Sequence, residues 1–173
     1  MQQSQRAIEP SFAFTYTPLG LRNLRFIRIL PGAFDEDLSC EVLVLDQDTA
    51  PKYTAISYTW GTDFRKGYKI RIAGYELSVG GNCLYALRQA RYFLEQGTLV
   101  WIDAICINQS DLQEKGRQVS RMGEIYQQAD RVFACIGRMG ENTDHELLRL
   151  LSAQNDRARS DFSGMLSISG SPE

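Results

Sequence analysis

Carboxylates, amides and aromatic rings suited to a nucleotide-sized ligand are concentrated between residues 53 and 118. Asp103 closes the apolar run Leu99–Ile102, Asn108-Gln109 follow shortly after, and Asp111 and Glu114 open the next helical pattern. Upstream, Tyr58 and Trp60-Gly61 end another β-prone run. A carboxylate beside a cleft can stabilise a developing positive charge. Side-chain amides can hold ribose hydroxyls or phosphate oxygens, and ring faces can stack on planar bases.

Each group has a structural reading as well. Asp111-x-x-Glu114 has the spacing of a capping box, with Asp in place of Ser or Thr, so Glu114 is either a catalytic carboxylate or a cap. At 100° per residue Glu114 falls about 80° from the core face of its helix, on the boundary with solvent. Glu124 falls about 160° away and reads as solvated. Asp103 can act on a ligand or fix the turn that follows it. Asn108 and Gln109 can bind ribose or phosphate, or hold their loop through backbone bonds. Tyr58 and Trp60 can stack on a ligand, or simply finish a half-buried strand beside Gly61. Cys106 has no partner base nearby and reads as packing. Gln118, near the core face, is expected to bond to the 103–109 loop.

The elements that must position these groups follow from periodicity. Residues 1–20, with Pro10 and Pro18, read as an arm packing through Phe12, Phe14 and Tyr16. Short β-prone runs cover 24–30, 41–45 and 54–60, and alternation around Gly74-Tyr75 predicts a β-hairpin. From Asn82, a fair N-cap, Leu84, Leu87, Ala90 and Leu94 recur at helical spacing up to Gly97. A buried strand at 99–103, a helix over 111–129 with Val119, Met122, Tyr126 and Ala129 inward, and a strand at 131–136 complete a β-α-β-α-β series. An amphipathic helix is expected at 144–151, and a polar, flexible tail at 153–173. The series predicts an α/β domain over 21–152: a mainly parallel sheet flanked by helices, with the hairpin inserted in the first crossover. Ligands of such sheets bind beyond the carboxyl ends of the strands. The groups above sit at two such ends, and Gly137-Arg138 follows the third.

Composition removes several alternatives. With 43% hydrophobic residues, 23% charged residues and a net charge of −2, the chain suits one globular domain and has no bias toward nucleic acid or an anionic membrane. Arg22, Arg25 and Arg28, among the scattered basic residues, read as solvated. No apolar run reaches the roughly 18 residues of a membrane span. The N-terminus lacks the apolar stretch of a secretory signal. Cys40, Cys83, Cys106 and Cys135 are widely spaced and read as small buried hydrophobes in a reducing, cytoplasmic setting. The single histidine, His145, and the absence of clustered thiols argue against a zinc site or a His-dependent nucleophile.

The same residues carry a family resemblance. Tyr53-Thr-Ala-Ile-Ser-Tyr-Thr-Trp-Gly61 resembles the Y-x-A-[LI]-S-Y-x-W-G motif of HET domains, the heterokaryon-incompatibility modules of filamentous fungi. Trp101-Ile-Asp-Ala-Ile-Cys-Ile-Asn-Gln109 is similar to their W-I-D-A-[IL]-C-I-N-Q nearly letter for letter. Asp111, Glu114, Gln118, Met122, Ile125-Tyr126, Ala129 and Val132 continue the pattern, while Ala134-Cys135-Ile136-Gly137 departs from the usual W-L-G ending. The resemblance covers residues 21 to 140. It implies a module that triggers cell death when incompatible strains fuse, working with itself or with other incompatibility proteins. HET domains are also distantly similar to TIR domains, which have a flavodoxin-like topology and many of which cleave NAD at the bond to nicotinamide. That second step implies Glu114 as the catalytic glutamate, NAD as substrate and no required cofactor. The alternative is a signalling module of another class, acting by self-association and recruitment.

Overall fold

The computed structural model describes residues 13–61 and 67–135. The expected helix at 144–151, the tail and Phe12 lie outside them. Among the described residues seven strands form one sheet: β1 (Asn23–Ile29), β2 (Ser39–Asp46), β3 (Tyr53–Tyr58), β4 (Tyr68–Ile72), β5 (Tyr75–Val79), β6 (Leu99–Trp101) and β7 (Arg131–Cys135), in the order β5-β4-β2-β1-β6-β3-β7. The helices are α1 (Gly81–Phe93), α2 (Asp103–Cys106), α3 (Leu112–Ser120) and α4 (Met122–Gln128).

The α/β class and the inserted hairpin are as expected, but the sheet is mixed rather than mainly parallel. Its parallel pairs are β6–β3, β3–β7 and β2–β4. β1 runs antiparallel to both β2 and β6, and β4 runs antiparallel to β5. The reason lies in the connections. β1 returns as β2 through a loop of nine residues, and β4 returns as β5 over Ala73-Gly74, both at positive φ (49° and 88°). Only the strands separated by helical crossovers, β3, β6 and β7, must run parallel.

β1 is the central strand, and Leu24, Arg25, Phe26 and Ile27 are all buried, so both of its faces are covered. Adjacent residues of β3 find different helices: Tyr58 bonds to Cys83 of α1, and Ser57 to Tyr126 of α4. Successive strand residues point to opposite faces, so α1 and α4 cover opposite sides of the parallel strands. Phe26 packs its ring against Tyr53 (centroids 4.8 Å apart), whose hydroxyl donates to the Ile125 carbonyl at 2.5 Å. Trp101 meets Tyr126 edge-on at 5.5 Å.

Two helices depart from their expected form. α1 begins at Gly81 with Gly80 as its uncapped N-terminal neighbour, and Asn82 instead donates to the Thr59 carbonyl at 2.8 Å. The expected 111–129 helix is two helices, broken at Arg121 (φ −100°, ψ 0°). The Arg121 guanidinium holds the Leu21 carbonyl at 2.5 Å and also the Gln47 side chain, drawing the chain off a straight axis. Val119, expected inward, is 49% exposed. The residues α3 buries are Glu114 and Gln118, a polar inner face explained by their partners below.

A candidate site at the carboxyl edge of the parallel strands

β3, β6 and β7 all end on one edge of the sheet. Because β1 is antiparallel to β6, its first residues lie at that edge too. Trp60, two residues beyond β3, donates its indole N–H to Asp103 Oδ2 at 2.9 Å. Asp103 is the first residue of the single-turn helix α2 rather than the last of a strand, and its Oδ1 accepts the Ala104 amide at 2.7 Å. Burial pushes the Asp103 carboxyl above its ordinary value, while the Trp60 and Ala104 donors pull the other way. The side chain keeps partial contact with solvent. It is a half-buried acid poised near a strand end, the kind of perturbed group that clusters at functional sites.

Around this pair the edge is aromatic and tightly fitted. The Tyr58 hydroxyl is raised by burial and by its neighbours Cys83 and Asp103. Burial likewise pushes the Cys83 thiol up to about 12, and the Tyr126 phenol up to about 12. All three are neutral at physiological pH. Gly61 has φ +74°, and a Cβ there would stand 2.7 Å from Asn82 Nδ2. Gln109 donates its side-chain N–H to the Asp103 carbonyl at 2.9 Å. Its Oε1 is buried without a hydrogen-bond partner among the described residues, as is Trp101 Nε1.

Glu114 is only 1% exposed and lies inside, not at the core boundary expected from its helical angle. Asp111 does cap α3, accepting the Gln113 and Glu114 amides at 2.9 and 3.0 Å. The reciprocal half of a capping box is absent from Glu114's bonds. Glu114 Oε1 accepts from Arg25 Nη1 at 2.5 Å and from the Asn108 amide at 2.7 Å, and Oε2 accepts from Arg25 Nη2 at 2.9 Å. Burial raises its carboxyl, but the guanidinium and the amide more than reverse this and leave it below its ordinary value. It is an ionised, bidentate partner of a buried cation.

Arg25, whose sequence setting predicts a solvated side chain, is instead 2% exposed. It also donates to the Cys106 carbonyl at 3.2 Å and the Thr17 carbonyl at 2.5 Å, under the Tyr16 ring at 4.8 Å. A sequence signal for it existed: a lone Arg in Leu24-Arg25-Phe26-Ile27, where solvation would require its neighbours on the same face to be exposed. Tyr16 and its link to Ile105 had no such signal.

The structure therefore brings Tyr58, Trp60, Gly61, Asp103 and Gln109 to one edge, and puts Glu114 behind them as support. Asn108 belongs to the support: its amide serves Glu114 and its Oδ1 accepts the Ser110 amide at 3.2 Å. Gln118 bonds to the Asn23 carbonyl at 3.2 Å, not to the 103–109 loop. Cys106 is buried with its thiol raised to about 12 by burial, as packing requires. Among the described residues no group of three or more His, Cys, Asp or Glu could hold a metal ion, and no helix is long and apolar enough to cross a membrane.

Fold and edge define an α/β domain whose polar groups converge where parallel strands end. The chain belongs to the heterokaryon incompatibility protein (HET) family, whose model matches residues 53–167. It is 32% identical over 142 residues to "Heterokaryon incompatibility protein 6, OR allele" of Neurospora crassa, an alignment covering 72% of this chain and 21% of that protein. The chain thus spans about a fifth of the length of that relative. No solved structure matches it.

Proposed function

We propose that this HET domain serves fungal heterokaryon incompatibility as a death-signalling module that hydrolyses NAD, with Asp103 as the catalytic carboxylate. In this reaction the bond from ribose C1′ to the nicotinamide nitrogen breaks, and nicotinamide leaves with the electron pair. Water adds its oxygen to C1′ and releases one proton, giving ADP-ribose. The transition state is oxocarbenium-like, and a carboxylate beside it supplies electrostatic stabilisation. The Trp60 N–H orients Asp103 for that task, and the Tyr58 and Trp60 rings offer planar faces.

The observation that carries this reading is the 2.9 Å Trp60–Asp103 bond at the carboxyl edge of the parallel strands. It divides the two candidate carboxylates. Glu114 is enclosed, with both oxygens taken by Arg25, whereas Asp103 retains solvent contact and free lone pairs. The distant similarity of HET domains to TIR domains, many of which cleave NAD, supports the substrate; the glutamate it implies, Glu114, is enclosed by Arg25, and on this reading Asp103 takes its place. The test is nicotinamide release by the purified chain, dilute and at forced high local concentration, beside Asp103→Asn. Release that the substitution abolishes supports the proposal; intact NAD from folded, self-associated protein overturns it.

One observation favours recruitment without turnover. β7 is an edge strand with Val132 52% exposed, and α3 turns Leu112 (81% exposed) and Val119 outward. On that reading Leu112→Asp disperses assemblies seen by sedimentation, and Asp103→Asn leaves signalling intact.

A further inference from the structure

We propose that Phe14–Thr17 is a detachable strap whose attachment fixes the turn carrying Asp103. α2 is a single turn, so its last carbonyls have no helix to continue into and need outside donors. The Tyr16 hydroxyl donates to the Ile105 carbonyl at 3.0 Å, and Arg25 Nη1 donates to the Cys106 carbonyl at 3.2 Å. Arg25 is in turn held by the strap: Nη2 donates to the Thr17 carbonyl, and the Tyr16 ring covers the guanidinium. At its other end the strap is tied to β5, the far edge strand, by the Phe14 amide donating to the Glu76 carbonyl at 2.8 Å.

The strap has the makings of a local, reversible contact. Thr15 and Thr17 are exposed, Phe14 and Tyr16 are only half-buried, and the segment is held by a few hydrogen bonds at its two ends. Segments held by few contacts open below the global unfolding free energy. Lifting it removes the donor on Ile105 and one acceptor and the ring cover from Arg25. α2 and the Asn108 amide on Glu114 then loosen, and the Trp60–Asp103 bond loosens with them. The strap lies outside residues 53–167, so this control is separate from the family-matched segment. It also stands whatever reaction the edge performs.

The experiment is amide hydrogen exchange on the full chain with Tyr16→Phe, which keeps the ring and removes the hydroxyl, and with Phe14→Ala, which frees the β5 end. The Cys106, Ile107 and Asn108 amides, bonded to Ile102, Asp103 and Glu114, are expected to exchange about tenfold faster in both variants. The Trp60 indole N–H signal should shift, and β1 and β3 should keep their protection. Unchanged exchange at residues 105–108 overturns the proposal, and so does a uniform rise across β1 and β3, which would make the strap part of the global fold.

Discussion

At the scale of single residues, two carboxylates eleven positions apart are set to opposite uses by their surroundings. Glu114 is lowered by a buried guanidinium, so its pairing stabilises the fold above its ordinary value of 4.5 and is lost as pH falls through the lower native value. Removing one partner leaves a buried charge alone, so Glu114→Ala or Arg25→Met should each cost about 3–5 kcal/mol in urea unfolding. The double change Arg25→Met with Glu114→Leu should recover most of that loss, and its stability should fall less steeply as pH drops below the ordinary carboxylate value of 4.5. Asp103 behaves inversely. Its native value is raised, so ionising it weakens the fold as pH climbs through that value, and Asp103→Asn should stabilise the protein at pH 7. The residue types were legible in the sequence, but their assignment was not. Helical angle alone put Glu114 at the solvent boundary, because the partner that draws it inward comes from a strand 89 positions away.

At the scale of elements, local chemistry was read well wherever it is decided locally. The hairpin around Gly74-Tyr75, a helix opening close to Asn82 and a buried strand starting at Leu99 all follow from period and turn residues, though the helix starts at Gly81 and the strand stops at Trp101. The break at Arg121 was hidden, because no Pro marks it in the sequence and the partners its side chain finds there, Leu21 and Gln47, are distant in the chain. Glycines test this account from two sides. Gly61→Ala meets both positive φ and the Asn82 amide at 2.7 Å, and should lower stability by about 1–2 kcal/mol. Gly116 lies inside α3 with nothing within 4 Å of an added Cβ, so Gly116→Ala should raise stability by up to about 1 kcal/mol. Thermal melts of the two variants should therefore move in opposite directions.

At the scale of the whole molecule, strand direction was the part the sequence concealed. A helix-separated series of apolar runs predicts parallel pairing, but it leaves open where two early strands insert. Here β1 enters at the centre, between β2 and β6, and makes the sheet mixed. A chain beginning at Tyr53 would lose β1, β2 and Arg25 together, parting β5-β4 from β6-β3-β7 and leaving Glu114 uncompensated. It should show no cooperative unfolding transition by circular dichroism, although it keeps the segment that matches the family. The central proposal is that Asp103, held by Trp60, is the carboxylate that acts, while Glu114 and Arg25 brace the loop behind it. Nicotinamide release from NAD by concentrated protein, compared with Asp103→Asn of equal or higher stability, tests this most directly. Substitution should slow release by about 10²–10³-fold, the size expected when one electrostatic stabiliser is removed. An unchanged rate in folded Asp103→Asn, or no release at all from the assembled protein, would contradict it.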